Sequence, residues 1–157
     1  GMKKYLPWIV IGLLAVFALM QLANPARTNP PVICDFIATN NAPAPVAAML
    51  RASCYDCHSH ETRWPWYSQV APVSWLVAND VKDGRRNLDL SDWPTGDPMR
   101  DAKKIEDMSE EIGYKEMPPA KYTLIHGDAR LTAEQRKQLT DWLDARAKQL
   151  KAQVAAQ

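Results

Sequence analysis

Cys54-Tyr55-Asp56-Cys57-His58 sets two thiols three positions apart and places an imidazole directly after the second. That spacing constrains the chain more than any other feature. Two thiols so placed reach the two vinyl groups of one porphyrin, and the adjacent imidazole then falls under the iron as an axial ligand. The pentapeptide therefore reads as a c-type haem attachment site, one haem per chain, with Cys54, Cys57 and His58 as its residues. A zinc site or a thioredoxin-like redox pair needs the cysteines alone. The histidine separates these readings, and it predicts a second axial ligand, an apolar pocket and a location outside the cytoplasm.

The candidate second ligand lies 59 positions further on, in Lys115-Glu116-Met117-Pro118-Pro119. A residue before proline is pushed towards extended backbone, and two prolines stiffen the loop that presents the thioether. Met/His is an established axial pair of cytochromes c, which makes Met117 the expected distal ligand. His126 is the alternative metal ligand and would give bis-imidazole coordination with a lower potential. His60 is too close to His58 to reach the opposite face and is read as solvent-facing. Met49, Met99 and Met108 fit helical positions better.

Supporting groups follow from the same chemistry. A ligating histidine donates its other ring N–H to a carbonyl or carboxylate, and the loop carrying Pro65 and Pro72 is the expected source. Arg63, Trp64, Trp66 and Tyr67 offer a guanidinium, two indoles and a phenol within five positions, suited to haem propionates.

The N-terminus bears on location. Lys3 and Lys4 precede an apolar run from Tyr5 to Leu22, long enough on paper to span a bilayer. Positive charge ahead of it predicts that everything after Leu22 is exported. Neither Ala18-Leu19-Met20 nor Ala23-Asn24-Pro25 makes a small-x-small cleavage site, so the run reads as an uncleaved, single-pass anchor in the bacterial cytoplasmic membrane. Five prolines between Ala23 and Pro45 predict an extended tether, although Val32 to Ile37 is apolar enough to pack onto the domain. The domain plan is a transmembrane anchor over 1–22, a proline-rich tether over 23–44 and a haem-binding, cytochrome c-like domain over 45–157.

Three cysteines leave Cys34 over once the haem motif is counted. Between Ile33 and Phe36 it reads as a buried apolar residue, with an intermolecular disulfide or a redox thiol as alternatives. A net charge of +1, with signs interspersed, gives no footprint for nucleic acid.

Every element signal is helical. Val46, Met49, Leu50 and Ser53 share a face leading into Cys57. Val70 to Asp83 reads as a second helix stopped by Gly84. Asp97 as N-cap, Pro98 at the first position and Gly113 at the end delimit a third, buried through Ile105, Met108 and Ile112. Thr132 and Gln135 match a capping box for the last, with Leu131 as staple and Leu139, Trp142, Leu143 and Leu150 at helical spacing. The fold class is all-α: about four helices around one haem, behind an N-terminal transmembrane helix.

From the motif to the last helix the chain resembles the small bacterial haem-binding domain family of single-CxxCH proteins, related to c-type cytochromes. The resemblance rests on Cys54 to Ser59, then Glu61-Thr62-Arg63-Trp64-Pro65-Trp66-Tyr67-Ser68, Val70-Ala71-Pro72-Val73-Ser74-Trp75, Glu116-Met117-Pro118 and Leu124-Ile125-His126, with Ala129-Arg130-Leu131 closing it. It implies covalent haem, a cytochrome-like helical fold and export, but no defined partner. His60 departs from the small polar residue expected there. The leading expectation is an electron carrier, more a relay than an enzyme, exchanging electrons with redox partner proteins at the periplasmic face of the membrane. A gas sensor or peroxidase-like enzyme with an open or displaceable distal side is the second. A haem-free dithiol oxidoreductase is the third, and it predicts a βαβ context that the sequence does not show.

Overall fold

The computed structural model describes residues 2–156, and among them every regular element is helical. The α-helices are α1 (Leu6–Met20), α2 (Phe36–Thr39), α3 (Ala44–Ser53), α4 (Tyr55–His58), α5 (Val73–Asn87), α6 (Pro98–Gly113), α7 (Ala120–Thr123) and α8 (Ala133–Ala155). Single 3-10 turns occupy Met2–Lys4, Trp66–Gln69 and Gly127–Ala129.

The centre of the domain is the α6–α8 pair. Asp97 caps α6 through the Met99 and Arg100 amides, and Thr132 and Gln135 form a reciprocal capping box on α8. Arg136 at the start of α8 donates to the Ile112 carbonyl at the end of α6, while Lys151 pairs with Glu106 further back, so the two helices run antiparallel. Ile105, Met108 and Ile112 meet Leu139, Leu143 and Ala147, which recur every four residues down α8. Phe36 is wholly buried here, edge-on to Trp93 at 5.0 Å and to Trp142 at 6.2 Å. α3 closes this core with Val46, Met49 and Leu50, and its last turn leads straight into α4, which carries the haem motif.

Several local expectations change on contact with the rest of the molecule. Gly84 does not stop α5, which continues to Asn87. The glycine is there because α5 lies against α4: a Cβ at this position would sit 2.4 Å from the Cys57 carbonyl oxygen. Cys34 is exposed, not buried. Its backbone pairs with Ser91, Asp92 and Trp93, and the core position is taken by Phe36 two residues later. His60 is not solvent-facing, since its ring bridges the Pro31 carbonyl and the Asp89 carboxylate, both at 2.8 Å.

The N-terminal region differs most. α1 has 15 residues, about 22 Å at 1.5 Å per residue. A hydrocarbon core is about 30 Å thick. Among the described residues no helix is long and apolar enough to cross a membrane, so the spanning segment expected over 1–22 is not found. The helix ends at Met20 because Gln21 turns onto the domain: its side-chain amide exchanges two hydrogen bonds with the backbone of Ala71, at 2.9 and 3.2 Å. Residues 23–35 contain no helix, and they are fastened along the domain as a strap. Trp75 donates to the Ala23 carbonyl at 2.6 Å, Arg27 to Ser68, and Asn29 to the Thr62 carbonyl at 2.9 Å.

Candidate haem site

The motif sits where α3 turns into α4. The Cys54 amide still bonds to the Leu50 carbonyl, and the Cys54 carbonyl accepts from both Cys57 and His58, which fixes the three residues relative to one another. None of the cysteines is in a disulfide. Burial pushes the Cys54 thiol up to about 12, with Cys57 adding to it, and burial followed by Asp80 and Asp56 pushes Cys57 up to about 11. Dithiol oxidoreductases work through a depressed thiolate, so this pair is tuned in the wrong direction for that chemistry. No cluster of three or more His, Cys, Asp or Glu side chains suited to a metal ion exists among the described residues.

The His58 ring is anchored through one nitrogen. Its Nδ1 lies 3.1 Å from the Leu88 carbonyl, which can only accept, so Nδ1 carries the proton and Nε2 presents its lone pair. Burial draws the imidazole below its ordinary value, favouring the neutral form. The orienting carbonyl thus comes from the residue after α5, not from the loop of Pro65 and Pro72 that the sequence suggested. The Leu90 amide also holds the His58 carbonyl at 2.7 Å. A ring fixed through one nitrogen, beside two unpaired thiols, fits an axial ligand.

Asp56, inside the motif, organises the opposite flank. It accepts from the Arg63 amide at 2.9 Å, from Arg63 Nε and Nη2 at 3.2 and 2.9 Å, and from the Tyr122 hydroxyl at 2.6 Å. Burial pushes its carboxyl up, but the Arg63 guanidinium and Tyr122 outweigh that and hold it below the usual carboxylate range. Lys121 pairs with Asp80 at 2.7 Å, so α7 is bonded to both α4 and α5. Nothing marked Asp56 or Tyr122 in the sequence, because a carboxylate within a helix is ordinarily solvated and a phenol 66 positions away gives no local signal.

The proposed propionate donors divide. Arg63 is committed to Asp56, with Asp128 at 3.8 Å. Tyr67 is bonded to His126, and Trp66 is exposed. Trp64 differs, because its Nε1 is buried with no acceptor among the described residues. It stands in the wall of a cavity of about 740 Å³ shared with Trp75, Arg85, Lys82 and the strap. An unpaired buried donor costs about 1–3 kcal/mol, so the Trp64 N–H suits an acceptor supplied by a bound group.

The two distal candidates are held differently. His126 has both ring nitrogens occupied: Nδ1 donates to the Tyr122 carbonyl at 3.2 Å, and Nε2 faces the Tyr67 hydroxyl at 3.0 Å. Its ring also stacks on Tyr122 at 4.1 Å. Met117 has its backbone pinned at both ends, N–H to Glu111 and carbonyl from Arg136, each at 3.1 Å, while its side chain is 36% exposed. Val73 and Leu76 on α5, and Met117, Leu124 and Ile125 on either side of α7, are exposed apolar residues.

A helical domain with a half-buried, backbone-anchored histidine beside two free thiols is consistent with a haem-binding protein. The comparisons agree: residues 15–145 match the haem-binding domain family, and the chain belongs to it. The chain is also 26% identical over 98 residues to a cytochrome c peroxidase of Escherichia coli (strain K12), a match covering 57% of this chain and 20% of that protein. This chain therefore spans about a fifth of that relative's length. No solved structure matches.

Proposed function

We propose that this protein carries single electrons on a c-type haem bound through Cys54 and Cys57, with His58 Nε2 and Met117 Sδ as axial ligands. When bound, haem supplies a one-electron iron couple. The chain's own residues supply the rest. Leu88 fixes the His58 ring and its tautomer, Glu111 and Arg136 hold the Met117 backbone, and Trp64 offers a buried N–H to a propionate. With His58 and Met117 both holding it, the group would supply electron transfer to and from redox partner proteins. The observation that carries the reading is the geometry at His58: its ring is anchored through Nδ1 to the Leu88 carbonyl, beside two unpaired thiols. The occupied nitrogens of His126 support Met117 over it.

Location belongs to the same proposal. None of the side chains of α1 is buried, and Lys3 and Lys4 precede it. We place this apolar helix against lipid, with the haem domain on the periplasmic face of the bacterial cytoplasmic membrane. A second reading, a peroxidase-like or gas-sensing site with Met117 displaceable, draws on the likeness to a cytochrome c peroxidase.

Intact mass tests attachment: protein matured with haem-attachment machinery should weigh one haem more than the chain and keep it through acid–acetone extraction. The Cys54→Ala/Cys57→Ala variant should lose it. Carbon monoxide binding to the reduced wild-type protein decides between carrier and open-site enzyme, and the carrier reading expects little.

A further inference from the structure

Arg85 directs one guanidinium two ways. Nε donates to the Ser59 carbonyl at 2.8 Å and Nη2 to the Thr62 hydroxyl at 2.9 Å, both in the loop that leaves His58. Nη1 donates to the Thr28 carbonyl and Nη2 to Asn29 Oδ1, each at 3.0 Å, both in the strap. Asn29 closes the ring through Nδ2 to the Thr62 carbonyl. A planar fork of five fixed donors makes this set, and a lysine ammonium cannot. The neighbouring residues grip the same loop: Gly84 against Cys57, Leu88 on the His58 ring and Leu90 on its carbonyl.

We propose that Arg85 is the positioning residue of the haem loop, and that Thr28 and Asn29, joined through it to the Ser59 carbonyl, are a built part of the haem site and not a linker. Movement of the strap is then felt at the backbone next to the axial histidine. Since Gln21 and Ala23 fasten the strap's start to Ala71 and Trp75, whatever holds α1 also sets the iron's surroundings. The effect at the iron rests on the haem reading above. The lock itself is a property of the chain alone.

The test uses Arg85→Lys, which keeps the charge and loses the fork, and Asn29→Ala, which leaves the guanidinium in place but removes the strap's side-chain bonds to Arg85 and to the Thr62 carbonyl. Each is made in the full chain with haem and again in the haem-free Cys54→Ser/Cys57→Ser background. Release of the strap is read as tryptic cleavage after Arg27, corrected for the rate on urea-denatured chain. Both variants should speed it by about tenfold with or without haem, the ratio for roughly 1.4 kcal/mol of local stability. In haem-loaded protein both should shift the reduction potential in one direction and weaken the low-spin ferric spectrum. Unchanged cleavage in the haem-free chains would refute the lock. Faster cleavage with wild-type potential and spectrum would refute the positioning role and reduce the strap to surface packing. A wild-type protein that takes up no haem would sink the haem reading instead, and the haem-free cleavage rates would then decide the lock alone.

Discussion

Gly84→Ala should destabilise the protein although it places alanine in the interior of a helix. Helix propensity alone favours the change by about 0.5–1 kcal/mol. Against it stands the Cys57 backbone, with the carbonyl oxygen 2.4 Å and the carbonyl carbon 3.0 Å from where the new Cβ would lie. Restoring a C···O separation of about 3.3 Å needs a displacement of roughly 0.9 Å between α5 and α4. Neither is a side chain that can rotate away. Overpacking of this kind costs about 1–3 kcal/mol, and a backbone-to-backbone clash belongs at the upper end. The net expectation is a loss of about 2 kcal/mol, or a Tm lower by about 4–8 °C in a chain this size. Urea and thermal unfolding of haem-loaded protein measure it, with Gly113→Ala as control. Nothing lies within 4 Å of a Cβ at Gly113, so that substitution should be neutral or slightly stabilising. The haem spectrum of Gly84→Ala should also change, because the displaced residue carries one thiol and precedes the axial histidine. A Gly84→Ala protein as stable as the parent, with an unchanged spectrum, would refute the close packing of α5 on the motif.

Other expectations follow from the site. The Asp56 carboxyl is held below its ordinary range, so its contribution is fully present above about pH 4 and lost as pH falls through the folded value. Urea midpoints should therefore drop as pH falls below about 4 in the parent and do so less in Asp56→Asn. Tyr122→Phe removes one hydrogen bond to that carboxylate and should cost about 1–2 kcal/mol by urea unfolding. In haem-free protein, exposed Cys34 should alkylate at least about a hundredfold faster than Cys54, whose thiol burial pushes up to about 12. Equal rates, read by mass spectrometry, would contradict the raised Cys54 thiol.

What the sequence showed and what it hid divide by distance along the chain. The Asp97 cap and the Thr132–Gln135 box were legible because their chemistry is complete within a few residues. Gly84 was misread because a glycine near a helix end serves either as a stop or as a place of close approach, and only the position of α4 decides. The Leu88 carbonyl was invisible in principle, since any residue carries one. Arg85 reaches Thr28 and Asn29 across 57 and 56 positions, and His60 reaches Pro31 and Asp89 across 29 each. Such pairs leave no periodic trace. The apolar run at the N-terminus counted correctly as hydrophobic, but its length as a helix was settled by Gln21, whose amide turns onto Ala71.

The visible and near-infrared spectrum of haem-loaded protein, oxidised and reduced, tests the central claim most directly. The account predicts a covalent low-spin haem whose weak far-red band, the mark of methionine sulfur on ferric iron, disappears in Met117→Ala and survives in His126→Ala. A high-spin spectrum, or a low-spin one that ignores Met117 and responds to His126, would contradict it.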